Sequence, residues 1–301
     1  MPRGAGCYDL PVPPSLARYS VSMVLPMFNE EETIEHALAV GVEALSRHAD
    51  DWELVVVDDA STDRSPAMVA EAAAAEPRIR LLRHAKNRKL GGTLRTGFAD
   101  CRKDLVLYMD ADLPFDPDVL GRAIRALHVS RADLIAGYRL DRTTEGVLRT
   151  IYSYVYNTLI GVLFGWPHRD INFSFKLMRR EVLEAVELRA EGSLIDAELI
   201  VKAKNLGFVI QQLGLDYFPR SRGRSTLSSP RVILKIFAEL VKLFPEMRRP
   251  RRRESAASGA VPSAATHSRA NEISSGERGA GSPVGAGATT AARAAGSVTP
   301  S

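Results

Sequence analysis

The feature that most restricts the fold of this chain is an alternation of short apolar runs with segments of helical periodicity. Residues 21–25 form the first run, closed by Pro26. Residues 31–47 then place Ile34, Leu38, Val42 and Leu45 on one helical face. A second run at 53–57 ends in Asp58 and Asp59, and Ser61 opens a helix to residue 75 with Ser61 or Thr62 as its N-cap. Further runs at 79–83, 105–109 and 134–137 are separated by helical segments at 92–101 and 117–128. Such runs read as strands buried on both faces and the helices between them as crossovers. The expectation is an α/β chain with a parallel sheet covered on both sides.

Ligands of such sheets bind outside the carboxyl ends of the strands. The acidic residues fall there. Asn29, Glu30 and Glu31 follow the first run, Asp58 and Asp59 the second, and Asp110 and Asp112 the fourth. Any one of them also suits a turn or a helix cap. Three strand ends on one edge concentrate charge that repels itself. A hard divalent cation with oxygen ligands compensates it economically.

Composition narrows the class. The chain has 301 residues, 45% hydrophobic and 25% charged, which argues against a polytopic membrane protein and wholesale disorder. The two cysteines, Cys7 and Cys101, exclude a disulfide framework and a thiolate zinc cluster and fit a reducing compartment. Pro11, Pro13 and Pro14 interrupt the N-terminus, so no secretory signal is read. The longest uncharged run, 150–168, carries Ser153, Asn157, Thr158 and three tyrosines and is too polar for a convincing membrane span. The formal net charge of +4 resides after Pro245, where eight arginines face four glutamates. That tail is rich in Ala, Gly, Ser and Arg and is expected to be disordered.

Six blocks, in order, resemble the family 2 glycosyltransferases with a GT-A fold, and most closely the polyprenyl- or dolichyl-phosphate sugar synthases. They are VSMVLPMFNEEETI (21–34), VVVDDASTDRS (55–65), KLGGTLRTGF (89–98), YMDADLPFDP (108–117), DINFSFKLMRREVL (170–183) and FPRSRGRSTL (218–227). The resemblance covers roughly residues 20–245 and implies a Rossmann-like, mostly parallel sheet with helices on both faces, plus a C-terminal amphipathic helix. The divisions expected are a lead-in at 1–19, a catalytic domain at 20–229, the helix at 230–247 and the tail at 248–301.

The resemblance also implies roles. Pro26, Asn29, Glu30 and Asp58 would serve the base and ribose of a nucleotide-diphosphate sugar, GDP-mannose or UDP-glucose, and Asp59 the turn. Lys89, Gly91 and Gly92 would approach its phosphates at a helix start, with Arg95 nearby. Asp110 and Asp112 would hold Mg²⁺ or Mn²⁺. Pro114 stands where many relatives have a polar residue, which leaves Asp116 as a substitute ligand. Arg139, Arg179, Arg220, Arg222 and Arg224 would grip an acceptor phosphate, with Arg224 standing in for a family lysine. A phosphate acceptor needs no strong base, and a hydroxyl acceptor would make Asp170 or Glu198 the candidate base. The rival from another class is a non-catalytic, membrane-associated nucleotide-binding protein.

The helix at 230–247 places Val232, Ile233, Ile236, Phe237, Leu240, Val241 and Phe244 on one face. Residues 220–253 hold eleven basic and two acidic side chains. This suits an anionic membrane surface on the cytoplasmic side, with or without a membrane-protein partner, and packing against the catalytic domain is the alternative. The tyrosine-rich run at 150–168 carries the same two readings. The RRPRRR stretch at 248–253 could touch nucleic acid, but nothing resembles a base-reading module, so that role ranks low.

Overall fold

Why the apolar runs become strands is visible in their burial. In the computed structural model, β1 (Ser20–Met27) and β2 (Asp51–Asp58) are buried along nearly their whole length. Side chains on both faces find cover, which is what an unbroken apolar run requires. The structure describes residues 19–112, 115–141, 147–165, 169–216 and 230–248, with side chains at 147–149 and 230–234 outside the description.

The remaining elements follow in chain order. They are α1 (Ile34–His48), α2 (Ser65–Ala75), β3 (Ile79–Arg83), α3 (Lys89–Asp100), β4 (Leu105–Tyr108), α4 (Val119–Val129), β5 (Leu134–Arg139) and α5 (Val147–Phe164). Then come β6 (Lys176–Arg179), α6 (Arg180–Ala185), α7 (Ile195–Asn205), β7 (Ile210–Leu215) and α8 (Pro230–Arg248). The seven strands form one sheet in the order β3-β2-β1-β4-β6-β5-β7. All pairings are parallel except those of β6, which runs antiparallel to both β4 and β5.

Alternation along β1 divides the core in two. Val21, Met23 and Leu25 join Ile34 and Leu45 of α1, Val69 of α2 and Leu120 and Leu127 of α4. Val24 points the other way, toward Leu94 of α3, Ile160 of α5, Val182 of α6, Ile195 of α7 and Leu240 of α8. The period-2 strand thus feeds a helical layer on each face.

Three boundaries differ from the sequence reading. Pro26 does not close β1 but lies within it, opposite Val57. The Val24 carbonyl accepts from the Met109 N–H and the Met27 carbonyl from the Asp59 N–H. By alternation, Pro26 therefore faces the β4 side, beyond the last paired residue Tyr108, where its missing donor costs nothing. Helix α2 begins at Ser65, not Ser61. The side chain of Ser61 is spent on the Asn29 N–H instead of capping a helix. Strands β6 and β7 lie beyond the apolar runs of the sequence, and β6 makes the sheet mixed.

Helix α8 docks on the same body. Leu240, Leu243 and Met247 are buried against the α7 layer. Asn205 Nδ2 donates to the Met247 carbonyl at 2.6 Å. Phe237 and Val241 remain exposed. The face drawn as one stripe is therefore split between packing and solvent. No helix among the described residues is long and apolar enough to cross a membrane.

Candidate active site

The carboxyl edge of the parallel strands gathers most of the candidate residues. After β1, Asn29 adopts φ 56°, a left-handed conformation that asparagine tolerates. Its Oδ1 accepts from the Thr62 N–H at 2.8 Å, and the Glu30 N–H donates to Ser65 Oγ at 2.9 Å. Glu30 also caps α1 by accepting the Thr33 and Ile34 N–H groups on its carbonyl. The loops after β1 and β2 are thereby laced into one shelf. Asp63 is part of the lacing. Burial alone would raise its pKa, but hydrogen bonds from Ser65 and Glu31 outweigh it and hold the carboxyl below its ordinary value.

Asp58 is fully buried at the end of β2. Its Oδ1 accepts from the Ser61 N–H at 2.9 Å and its Oδ2 from Arg83 Nε at 2.9 Å. Both oxygens already accept hydrogen bonds inside the protein, a use that the expected base or ribose contact did not include. Asp58 holds Arg83, whose side chain is 59% exposed at the end of β3. Arg83 is a residue that sequence reasoning missed. An arginine closing a short strand gives no motif of its own. Asp59 is a turn-former, as expected. Its Oδ1 receives His84 Nδ1 at 2.7 Å and the Arg88 N–H at 2.7 Å, while His84 Nε2 lies 2.9 Å from Thr96 Oγ1.

The start of α3 corrects a second expectation. The Gly91 N–H donates to the Glu191 carbonyl at 2.8 Å, and the Lys89 N–H to Asn87 Oδ1 at 3.1 Å. A Cβ on Gly91 would lie 2.1 Å from the Ala190 carbonyl oxygen. Glycine is needed here for the approach of the 190–191 backbone, and one on Gly92 would meet Arg88 Cβ at 2.5 Å. Lys89 pairs with Glu191 at 2.9 Å, and Arg95 reaches the Ala190 carbonyl. The helix start is covered by protein, so Lys89, Gly91 and Gly92 do not form an open phosphate cradle.

Beyond β4 stand Asp110 and Asp112. The Tyr108 hydroxyl donates to Asp110 Oδ1 at 3.4 Å. Burial, then the charges of Asp110 and Asp196, push that hydroxyl well above its ordinary pKa, with Asp112 adding to the effect. Asp196, in the first turn of α7, is pushed up to about 6 by burial and by Asp110 and Asp170, against the pull of Lys176. Negative charge is indeed concentrated on this edge. Asp116 is not part of it. It is exposed, and its Oδ1 takes the Asp118 N–H before α4. Pro114 lies outside the described residues.

At the end of β5, the side chains of Arg139 and Asp170 are buried and meet at two points. Nε is 2.6 Å from Oδ2 and Nη2 is 2.9 Å from Oδ1. The Arg139 guanidinium also lies 5.5 Å over the Phe173 ring. β4 and β5 flank β6, so the two sites are two strand spacings apart, about 10 Å. The bidentate grip spends the Asp170 carboxylate on orienting Arg139.

The other expected residues divide. Arg179 ends β6 opposite Leu105, the first residue of β4. Because β6 is antiparallel, Arg179 returns to the far edge, beside Asp133 and Tyr19, away from Arg139 and the carboxyl edge. Glu198 is fully buried and accepts from the Arg189 and Ala190 N–H groups and from Lys202 Nζ. It anchors the 189–190 segment, a structural use that makes it a poor base. Arg220, Arg222 and Arg224 lie outside the described residues.

Comparison with known proteins places this edge in a family. Residues 22–187 match the profile described as Glycosyl transferase family 2. Glycosyltransferase AglD of Haloferax volcanii is 30% identical over 249 residues, which is 80% of this chain and 40% of that protein. Dolichol-phosphate mannosyltransferase of Pyrococcus furiosus is 29% identical over 213 residues, 69% of this chain and 59% of that protein. The chain thus spans about half the length of these relatives. Glucosyl-3-phosphoglycerate synthase from Mycobacterium tuberculosis, in complex with Mn²⁺, UDP and phosphoglyceric acid, shares the fold. Its TM-score is 0.61 at 21% identity, covering 75% of this chain and 78% of that one. With the profile spanning more than half of its residues and carboxylates gathered at the carboxyl edge of a mixed sheet, the chain belongs to glycosyl transferase family 2.

Proposed function

We propose that this chain moves a hexose, mannose or glucose, from a nucleoside-diphosphate sugar to a polyprenyl or dolichyl phosphate at the cytoplasmic face of a membrane. The observation that carries the reading is the pairing of two unlike sites on one edge. A carboxylate pair, Asp110 and Asp112, lies two strands from an arginine that Asp170 holds in a fixed orientation. The first suits a cation-bridged diphosphate and the second an anionic acceptor.

The reaction is a displacement with inversion. An oxygen of the acceptor phosphate forms a bond to the anomeric carbon. The bond from that carbon to the diphosphate breaks, and its electrons leave with the nucleoside diphosphate. The acceptor oxygen is already anionic near neutral pH, so alignment and charge compensation suffice. A phosphate acceptor is favoured over a hydroxyl because Asp170 is spent on Arg139 and Glu198 on the 189–190 backbone. The likeness to a dolichol-phosphate mannosyltransferase supports the same choice.

A divalent cation, Mn²⁺ or Mg²⁺, fits Asp110 and Asp112. The donors are hard oxygens, and no group of three or more His, Cys, Asp or Glu suited to a metal is found among the described residues. Two carboxylates with substrate phosphates and water are a usual shell for such an ion. When bound, it neutralises charge on the departing diphosphate. On the donor side, Asn29 and Glu30 shape the shelf and Asp58 aims Arg83 across it.

Membrane contact is supported by two exposed faces. Ile151, Tyr152, Tyr154, Val155 and Val162 are exposed on α5, which has no charged residue from 150 to its end. Phe237 and Val241 are exposed on α8 among Lys235, Lys242 and Arg248. Apolar side chains ringed by lysine and arginine suit an anionic lipid surface.

The test is transfer of radiolabelled sugar from GDP-mannose and from UDP-glucose, assayed separately, to a short polyprenyl phosphate with Mn²⁺ or Mg²⁺. Label entering the organic phase from one donor supports the reading. Label only in water-soluble product points to a hydroxyl acceptor. A folded protein that binds nucleotide and turns over neither donor is a binding protein and overturns the proposal.

A further inference from the structure

Lys176 is a buried lysine that the transfer reaction does not itself call for. It opens β6 at the centre of the sheet, opposite Tyr108 on one side and Ala136 on the other, and is 1% exposed. Its ammonium donates to the Phe173 carbonyl at 2.7 Å and meets Asp196 Oδ1 at 2.5 Å. Asp196 is equally buried. Bringing a lysine and an aspartate this far from water is costly, and an apolar pair of similar volume is often as stable. Stability alone is therefore a weak reason for the pair.

Its connections suggest another reason. Phe173 is held at three places. Its carbonyl receives Lys176, its N–H donates to the Asp170 carbonyl at 3.3 Å, and its ring lies under the Arg139 guanidinium. Asp170, three residues earlier, grips the same guanidinium at two points. Lys176 thus closes a loop that begins and ends on Arg139, and Asp196 fastens that loop to the first turn of α7.

We infer that Lys176, braced by Asp196, is a positioning residue that fixes the 170–173 turn and through it the orientation of Arg139 toward the acceptor. The inference rests on the proposed role of Arg139 in binding the acceptor phosphate. The ammonium of Lys176 is bonded to Phe173 and Asp196 and acts through them, not on a substrate. A small displacement of an orienting group is costly to a reaction that depends on alignment.

The test compares two variants of the full chain. Lys176→Met/Asp196→Leu replaces the pair by apolar side chains. It is expected to melt within a few degrees of wild type and to keep the donor KM within about twofold, while the acceptor KM rises about tenfold or more. Lys176→Arg keeps the charge but cannot place one nitrogen on both partners, and covers the case in which the double variant does not fold. It too is expected to raise the acceptor KM alone. Wild-type kinetics in either folded variant, or equal losses toward donor and acceptor, would overturn the inference. A second readout is independent of turnover. Amide exchange at residues 171–175 is expected to quicken in Lys176→Arg while that of α7 stays as it was. Unchanged exchange there overturns the positioning role, whereas an inactive wild type overturns the functional reading instead.

Discussion

Asp170 and Arg139 meet through two parallel contacts, Nε to Oδ2 at 2.6 Å and Nη2 to Oδ1 at 2.9 Å, in a setting where both side chains are buried. A carboxylate held this way orients its arginine and makes a poor proton acceptor. Arg139→Lys loses the fork geometry while keeping the charge. A charged hydrogen bond is worth about 1.5–3 kcal/mol, so kcat/KM for the acceptor is expected to fall about 10- to 100-fold with donor KM unchanged. Asp170→Asn should act on the same parameter. A loss in kcat of about 100-fold or more at unchanged acceptor KM would instead mark Asp170 as a base.

Glu198 tests the opposite assignment. Its removal leaves the Arg189 and Ala190 N–H groups without their acceptor and takes one of two from Lys202, which keeps the Glu187 carbonyl. Each buried unsatisfied group costs about 1–3 kcal/mol, so Glu198→Ala is expected to lower the melting temperature markedly. The pH dependence of transfer by the remaining folded protein should match wild type. A shifted pH profile with unchanged stability would restore Glu198 as a base candidate.

The start of α3 gives a steric prediction. Gly91→Ala places a Cβ 2.1 Å from the Ala190 carbonyl oxygen, which is backbone and cannot swing aside. Overpacking of this kind costs about 1–3 kcal/mol, and a denaturant melt is the measurement. Gly165→Ala is the comparison. Nothing lies within 4 Å of its added Cβ, and only the φ of +71° resists it. Equal stability of Gly91→Ala and wild type would contradict the close approach of the 190–191 segment.

These residues also mark what was legible in the sequence. Strands β1, β2, β4 and β5 could be read because burial leaves apolar runs, β3 showed through Ile79, Leu81 and Leu82, and the carboxyl ends of these strands located the candidate site. β7, Ile210–Leu215, carries Gln211 and Gln212 and is only partly buried, so it shows no such run. β6 opens on Lys176 and closes on Arg179, which leaves only Leu177 and Met178 apolar, and its reversed direction misled the placement of Arg179. Ser61 and Thr62 looked like N-caps because their side chains suit that role, yet both bond to the Asn29 loop. Glu198 stood as a candidate base because a carboxylate suits that role, but its partners are two backbone N–H groups and Lys202, which a sequence does not announce. Gly91 follows the same logic, since its neighbour is a distant carbonyl and not a phosphate.

Cys101 supplies a chemical check on the core. Burial pushes its thiol up from an ordinary value of 9.0 to about 12. The folded pKa stands above the unfolded one, so this group's contribution to stability is complete below about pH 9. It is lost as pH rises toward 12. At pH 8 the thiolate is scarce and shielded, so iodoacetamide is expected to spare Cys101 until denaturant is added. Peptide mass mapping reads this directly. Rapid alkylation of Cys101 in the folded chain would contradict its burial.

The most direct test of the central claim pairs wild type with Asp112→Ala in the lipid-transfer assay. Both proteins are first shown to share a far-UV spectrum and a cooperative melt. Charge stabilisation at a departing diphosphate is worth several kcal/mol, so the variant is expected to transfer at least about 1,000-fold less label into the organic phase. Wild-type transfer by Asp112→Ala would contradict the assignment of this strand end as the centre of the reaction.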